Sequence, residues 1–391
     1  MALDRYTTLG RSGLRVSPLA LGTMTFGDDW GWGADERASR RMFDAYLASG
    51  GNFIDTANLY TGGHSEELVG KFVADAGVRD RVVIATKYSY NTEAGNPNAG
   101  GNGRKAMLRA IEASLRRLGT DYIDLYLLHT WDRVTPAEEV LGTFDALVRA
   151  GKIRHAGLSD VPAWYAARMQ TLAHEQGKSP LINLQLQYSL VERNIEREYV
   201  DLARELGMGI TSWSPLAMGL LSGRYRPSRD GTDGTGEGRL PKLKESGIAA
   251  ILDKFTPRNW AIVAALEKVA AEAGLSMAQA AVQWAARQPA IGSVIVGASK
   301  PEQLDETLKA LDVPLSDAQM AALDAASALP EQFPYSFFAQ NQQTRIHGGV
   351  AVAAKPPGYA PPARIAADPT MGVGVVASPP VGAGTLKTGT R

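Results

Sequence analysis

The chain has 391 residues, of which 45% are hydrophobic, and its 41 basic side chains balance its 41 acidic ones. This composition supplies a large core but no basic surface, which argues against nucleic acid or an anionic membrane as the main partner. The sequence contains no cysteine, so disulfides, thiolate metal sites and cysteine nucleophiles are excluded. Because we find neither a signal-peptide core nor an apolar run of membrane-spanning length, we expect a soluble cytoplasmic protein.

Short apolar runs alternate with amphipathic stretches from residue 18 onward. The apolar runs predict eight β-strands, at 18–23, 52–56, 82–87, 122–129, 153–159, 182–188, 209–214 and 293–299. Helical patterns separate them at 35–49, 65–76, 104–118, 136–149, 162–175 and 196–206. Near-continuous apolar strands in βα alternation favour a closed (β/α)8 TIM barrel over an open doubly wound sheet. The first strand is also not followed by the G-x-G-x-x-G pattern of the open fold.

Two segments interrupt this alternation. About eighty residues separate the seventh and eighth predicted strands, where a single helix would suffice. That interval holds a polar, glycine-rich stretch at 224–242 and two helical patterns at 259–273 and 276–288. In the second segment, 351–391, Gly and Pro supply 13 of 41 residues, which predicts a low-complexity, disordered tail. We therefore expect one barrel domain over 1–350 and a disordered tail over 351–391.

Polar side chains stand where three successive predicted strands end. Asp55 ends the second strand, Lys87 the third and His129 the fourth, and Tyr60 lies in the loop just past Asp55. In a barrel, side chains at the carboxyl ends of different strands meet at one mouth. We therefore expect a carboxylate, a phenol, an amine and an imidazole to lie together there.

These four groups would suit proton donation to a carbonyl oxygen. A tyrosine with a pKa of about 10 is a weak acid at neutral pH, and a neighbouring Lys87 ammonium is expected to lower the pKa of Tyr60. Asp55 would hold Lys87 charged and in place, while His129 would orient the substrate oxygen. Two other interpretations are a structural ion pair between Asp55 and Lys87, and a Schiff-base lysine at Lys87.

The motifs IDTANLY, IATKYS and LYLLHTWD, which contain these residues, resemble those of the aldo-keto reductases. The resemblance runs from residues 9–27 to FPYSFF and RIHGG within 333–349. It implies a (β/α)8 barrel that reduces small carbonyl compounds with NADPH, forming NADP+, through a tetrad of Asp55, Tyr60, Lys87 and His129. Within this family the chain also resembles potassium-channel β-subunits, which suggests a cofactor-binding regulatory subunit as the alternative. Those subunits typically carry Asn at the position of His129, so His favours an enzyme.

The resemblance also implies how the nicotinamide is held. Ser159 matches the serine that contacts the carboxamide, but Asp160 replaces the asparagine that usually follows it. Gln185 matches the glutamine that completes this contact, and Trp213 matches the aromatic residue that stacks on the nicotinamide ring.

Further cofactor residues follow from the same resemblance. Those assigned to the pyrophosphate loop are Ser214, Pro215, Leu216, Ala217, Met218 and Arg224. The segment 297–307 resembles the loop and helix start that bind the adenosine 2′-phosphate, through Gly297, Ser299, Gln303 and Glu306, with Thr307 where an asparagine is usual. Apart from the resemblance, Lys300 or Arg239 could add positive charge there. Thr23, Met24 and Asp55 complete the expected cofactor contacts. We expect NADPH to bind more tightly than NADH.

The substrate is less defined than the cofactor. Trp30, Trp32 and Trp131 lie in loops after the first and fourth strands, where substrate walls form, although Trp30 and Trp32 could equally be loop-packing residues. A sugar or natural-product carbonyl, a small aldehyde and a pyridoxal-like compound all remain open, as does assembly into a homo-oligomer. The segment HEQGK at 174–178 lacks the second histidine of a zinc helix, so we expect no metal.

Overall fold

The computed structural model describes residues 2–236, 240, 254–338 and 340–350. A short antiparallel hairpin comes first, formed by β1 (Thr7–Thr8) and β2 (Arg15–Val16). Eight parallel strands then close into a barrel in the order β12-β3-β4-β5-β6-β7-β8-β9. They are β3 (Leu19–Gly22), β4 (Phe53–Asp55), β5 (Val83–Tyr88), β6 (Ile123–Leu128), β7 (Ile153–Ser159), β8 (Leu181–Gln187), β9 (Gly209–Trp213) and β12 (Ile291–Val296). A second short hairpin, β10 (Arg226–Pro227) and β11 (Gly234–Thr235), lies between β9 and β12.

Helices alternate with the barrel strands. The first six are α1 (Glu36–Ala48), α2 (His64–Ala76), α3 (Arg104–Leu118), α4 (Ala137–Arg149), α5 (Ala163–Glu175) and α6 (Tyr199–Leu206). After β11 come α7 (Pro257–Ala273), α8 (Met277–Ala286), α9 (Pro301–Leu308), α10 (Asp317–Ala326) and α11 (Gln340–Ile346). None of the helices described is long and apolar enough to span a membrane.

The predicted (β/α)8 barrel is confirmed, and every predicted strand overlaps one of its strands. The predicted helix at 196–206 begins later, because a 3-10 turn over Asn194–Arg197 precedes α6. Both hairpins and the helices α10 and α11 lack a counterpart among the predicted elements. The tail at 351–391 and two parts of the interval between the seventh and eighth predicted strands, 237–239 and 241–253, lie outside the described residues.

Two layers of apolar side chains build the core, and they follow from the period of two along each strand. One layer packs between the strands and the helices, and includes Leu21, Ile84 and Tyr126. The alternate residues form a separate cluster in the barrel interior, with Leu9 and Val16 from the first hairpin packed against it. The members that come from the strands are Ala20, Phe53, Val83, Ala85, Leu125, Leu127, Ile182 and Ile295.

The interior rows position the polar side chains at one mouth. Phe53 is followed two residues later by Asp55, Ala85 by Lys87, and Leu127 by His129. Parallel pairing aligns these rows, since Asp55 pairs with Ala85, and Lys87 pairs with Leu127. The same alternation that fills the barrel with apolar residues therefore turns the last residue of each row towards the carboxyl-terminal mouth.

Tight packing inside the barrel predicts a stability cost at Gly157, in β7. A Cβ atom there would lie 2.6 Å from Leu127 Cδ2 and 2.8 Å from the carbonyl oxygen of Asn183. Gly157→Ala should lower the free energy of unfolding by about 1–3 kcal/mol, because the neighbouring backbone cannot move freely. Gly13→Ala is the control, since a Cβ at Gly13 would meet no heavy atom within 4 Å. Urea unfolding followed by circular dichroism measures both, and equal midpoints would contradict the packing argument.

Candidate active site

The four side chains expected at the mouth meet there. Asp55 ends β4, Lys87 lies in β5, His129 directly follows β6, and Tyr60 begins a 3-10 turn just before α2. Lys87 Nζ lies 2.7 Å from Asp55 Oδ1 and 3.2 Å from the Tyr60 hydroxyl. The rings of Tyr60 and His129 have centroids 6.0 Å apart. The tetrad is thus one connected cluster.

The ion pair between Lys87 and Asp55 is almost completely buried, with side-chain exposures of 1% and 4%. Lys87 Nζ also donates to the carbonyl oxygen of Thr56 at 2.8 Å. Burial by itself lowers the pKa of Lys87. The negative charge of Asp55 and the hydrogen bonds that Lys87 makes with Asp55 and Tyr60 outweigh burial, so the pKa of Lys87 is raised. Lys87 therefore stays charged.

Gln185 supports the other oxygen of Asp55. Its Nε2 donates to Asp55 Oδ2 at 2.7 Å. Gln185 was expected to contact the nicotinamide carboxamide, and this hydrogen bond adds a second connection that the sequence did not reveal. The carboxylate of Asp55 is therefore held on one oxygen by an ammonium and on the other by an amide.

The pKa of Tyr60 is raised, whereas the sequence predicted that it would be lowered. Burial of the phenol raises the pKa of Tyr60, and Asp55 adds to that rise. The nearby Lys87 lowers the pKa, as expected, but by less than burial raises it. The hydroxyl is therefore protonated at neutral pH and ready to donate its proton.

His129 is kept neutral. Burial of the imidazole holds its pKa well below the usual range, and the Lys87 charge adds to that effect. Nδ1 is buried and has no hydrogen-bond partner among the described residues. Nε2 is then the ring nitrogen left to meet a substrate oxygen. The ring of Tyr90 stands edge-on to the imidazole, with centroids 4.9 Å apart.

The segment expected to hold the nicotinamide lies beside the tetrad. Ser159 is buried at the end of β7 and pairs with Gln185 of β8. The next residue, Asp160, accepts a hydrogen bond from Nε1 of Trp213 at 3.2 Å. Ser159, Gln185 and Trp213 thus lie on the neighbouring strands β7, β8 and β9. The fourth expected contact, Asp160, directly follows β7.

The loop after β9 has the backbone of a ligand-binding segment. Ser214, Ala217 and Met218 have φ values of 55°, 46° and 59°, which are unusual for residues other than glycine. Such conformations cost free energy and cluster at ligand sites. Arg224 is exposed and its Nε donates to Ser222 Oγ at 2.9 Å. A loop of this shape with a guanidinium beside it fits a pyrophosphate.

The expected 2′-phosphate contacts lie just before α9 and along it. Ser299 and Glu306 are exposed, while the backbone N–H and the hydroxyl of Ser299 each lie 3.4 Å from Gln303 Oε1. Thr307 is buried and donates to the carbonyl oxygen of Gln303 at 2.8 Å, so its hydroxyl hydrogen is already used. Gly297 precedes this turn, and a Cβ there would lie 3.2 Å from the carbonyl oxygen of Gly22.

The remaining residues expected to contact the cofactor do not form one segment. Thr23 is buried after β3, where its hydroxyl donates to the carbonyl oxygen of Asp55 at 3.0 Å and contacts Ser65 Oγ at 2.9 Å. Met24 is 37% exposed. Pro215 and Leu216 belong to the loop after β9. Arg239 lies outside the described residues.

Comparison with known proteins identifies the family. The sequence profile of the aldo/keto reductase family matches residues 18–328. The chain belongs to the aldo/keto reductase family.

Relatives of the chain support this assignment across most of their length. The NADP(+) aryl-alcohol dehydrogenase of Phanerodontia chrysosporium is 35% identical over 347 residues, covering 85% of this chain and 88% of that protein. The uncharacterized oxidoreductase YrpG of Bacillus subtilis is 37% identical, covering 79% and 92%. Norsolorinic acid reductase of Aspergillus flavus is 33% identical, covering 83% and 81%. This aldo-keto reductase is therefore an oxidoreductase.

Aromatic side chains surround the mouth of this aldo-keto reductase. Trp30 and Trp32 lie with ring centroids 5.4 Å apart in the loop between β3 and α1. Trp131 packs against α5, with its ring 5.7 Å from Trp164 and edge-on to it. Tyr90 and Trp164 are exposed by 42% and 58%, and sequence reasoning did not single them out. Their only sequence signal is an aromatic residue shortly after a strand end, which is weak by itself.

A metal-binding cluster is not found within the part of the chain that the structure describes.

The buried ion pair predicts strong coupling between Asp55 and Lys87. Lys87→Met should lower the free energy of unfolding by about 3–5 kcal/mol, because it leaves a buried carboxylate without its cation. Combining it with Asp55→Asn should cost less than the sum of the single effects, by about 1–3 kcal/mol. Urea unfolding of all four proteins measures this difference.

The exposed pair between Lys71 and Glu36 is the matched control for that cycle. Its side chains are about half exposed, at 54% and 53%. Lys71→Met with Glu36→Gln should show a coupling of only about 0–1 kcal/mol. A coupling at Asp55 and Lys87 no larger than this would contradict the interaction described.

Proposed function

We propose that this protein reduces an aldehyde or ketone reversibly with NADPH, with Tyr60 as the general acid. The observation that carries the proposal is the chain of contacts from Asp55 through Lys87 to the Tyr60 hydroxyl, beside a neutral His129. The cofactor is NADPH/NADP+, in line with the NADP(+) named for the Phanerodontia chrysosporium relative. Ser159, Gln185, Trp213 and the loop after β9 would hold it.

The residues divide the reaction among them. When bound, the nicotinamide supplies the hydride. Tyr60 donates its proton to the substrate oxygen, which becomes a far stronger base than a phenolate as the carbonyl is reduced. Lys87 then stabilises the phenolate that remains on Tyr60, and Asp55 keeps Lys87 in place. Neutral His129 donates one N–H to the substrate oxygen and so fixes the direction of the carbonyl.

The walls of the mouth favour an aromatic substrate. Tyr90 presents an exposed ring beside His129, and Trp131 with Trp164 forms a second aromatic surface. Aromatic rings pack favourably edge-on or offset against one another. Two relatives are named as aryl-alcohol dehydrogenases. We therefore propose aryl aldehydes, and the corresponding aryl alcohols in the reverse direction, as the substrate class.

Tyr60→Phe tests the proposed acid. It should lower the single-turnover rate with an aryl aldehyde by about 10²–10⁴-fold, because the proton donor is lost while the ring remains. Binding of NADPH, followed by quenching of tryptophan fluorescence, should change little. Tyr122→Phe, on a half-buried ring whose hydroxyl contacts Asp80, is the control and should retain full activity. Near-normal turnover in Tyr60→Phe would remove this residue from the mechanism.

His129→Asn tests the proposed orienting group. The rate of hydride transfer should fall by about 10²–10³-fold, since a donor remains but its position changes. Stopped-flow oxidation of bound NADPH measures that step, and an unchanged rate would contradict the assignment.

Stability gives a second readout for His129. Its folded pKa lies well below the usual value, so the unfolded chain binds a proton near pH 6.5 that the folded protein does not. The unmodified protein should therefore lose stability as pH falls through about 6.5. The Asn variant should lack this part of the loss, and equal pH dependence of the two proteins would contradict burial of a neutral imidazole.

A further inference from the structure

Asp160 occupies a constrained position at the mouth. It directly follows β7 with φ at 43°, in the left-handed region that Asp tolerates better than most residues. Its backbone N–H donates to the carbonyl oxygen of Gln185, and its own carbonyl oxygen accepts from the N–H of Trp131, both at 3.4 Å. Its carboxylate accepts from Trp213 Nε1. Three hydrogen bonds with three residues of the mouth therefore hold Asp160 in this position.

Among the residues that the structure describes, one cation and several phenols act on this carboxylate. Lys87 is the positive charge that acts on it, and Tyr60, Tyr90 and Tyr199 are the phenols whose pKa values its negative charge raises. The side chain is open to solvent at the mouth, yet protein atoms crowd around it in a recess. This crowding raises the pKa of Asp160 to about 6, against the opposing effects of Trp213 and Lys87. Asp160 is thus an ionised carboxylate at pH 8.

We propose that Asp160 sets which oxidation state of the cofactor binds more tightly, because its carboxylate favours the cationic ring of NADP+ over the neutral ring of NADPH. The inference rests on the proposed function, in which Ser159, Gln185 and Trp213 hold the nicotinamide. The two forms of the cofactor differ by one unit of charge on that ring and share the same phosphates. A carboxylate beside the ring distinguishes them through that charge, whereas a neutral amide at the same position does not.

The consequence is a shift in the equilibrium on the protein. The ratio of the dissociation constants of NADPH and NADP+ fixes the reduction potential of the bound cofactor, by thermodynamic linkage. A tenfold change in that ratio corresponds to about 30 mV for a two-electron couple. A carboxylate at residue 160 would therefore move the bound equilibrium towards NADP+ and so favour carbonyl reduction on the protein, compared with what an amide would give.

The ratio of the NADPH to the NADP+ dissociation constant also separates the effect of Asp160 from the effects of other titrating groups. Protonation of the 2′-phosphate affects both forms of the cofactor and cancels. His129 has a pKa well below its usual range, while those of Lys87 and Tyr60 are raised, so none of the three changes charge between pH 5.5 and 8. Protonation of Asp160 is then the change expected to alter the ratio in that interval.

The experiment measures both dissociation constants at pH 5.5 and pH 8, by stopped-flow fluorescence so that acid decay of NADPH is negligible. At pH 8 the ratio of the NADPH to the NADP+ constant should be roughly tenfold higher in the unmodified protein than in Asp160→Asn. It should fall in the unmodified protein at pH 5.5 and stay constant in the variant. Asn keeps the shape and the acceptor for Trp213, so the substitution removes mainly the charge.

Asp121→Asn is the control for net charge. Asp121 is exposed between α3 and β6, at the end of the barrel opposite the mouth, and its removal should leave the ratio unchanged. The same change in Asp121→Asn as in Asp160→Asn would overturn the proposal, as would a pH-independent ratio in the unmodified protein. Binding of both forms with no effect of Asp160→Asn overturns this inference alone. Failure of the unmodified protein to bind either form overturns the proposed function with it.

Discussion

The buried ion pair between Lys87 and Asp55 is the interaction on which the active site depends. Two charges in the interior cost free energy unless each finds a partner, and here the partners come from β4, β5, β8 and the turn after β4. Asp55 meets Lys87 on one oxygen and Gln185 on the other, while Lys87 also reaches the hydroxyl of Tyr60. The need to satisfy these charges therefore fixes the positions of the groups that carry out the chemistry.

The barrel and the tetrad could be predicted because both rest on short-range patterns. Apolar runs of strand length show where the chain enters the barrel, and the period of two says which end residue faces inward. Asp55, Lys87 and His129 all follow an interior apolar residue by two positions, so their meeting is a consequence of register. The helices that the sequence missed, such as α10, lack the strong alternation that identifies the others.

What the sequence could not supply depends on depth and on distant contacts. The pKa of Tyr60 was expected to fall because Lys87 is near, and it rises because burial of the phenol has the larger effect. Burial depth depends on the whole fold and cannot be predicted from five residues of a motif. Tyr90 was missed for a similar reason, since its contact with His129 joins two loops from different strands.

The hydrogen bond between Gln185 and Asp55 decides which kind of ligand group can bind to the Gln185 side chain. A carboxylate only accepts hydrogen bonds, so the contact with Asp55 requires the nitrogen of the Gln185 side chain to face inward. The side-chain oxygen of Gln185 is then the atom left for a ligand, and it can only accept hydrogen bonds. Asp160, a second acceptor, stands on the adjacent strand end. Lys87 binds the Asp55 carboxylate, and the carboxylate in turn binds the amide nitrogen of Gln185, so acceptor oxygens are left facing the mouth. A ligand group that binds to them must be a hydrogen-bond donor, such as an amide NH2.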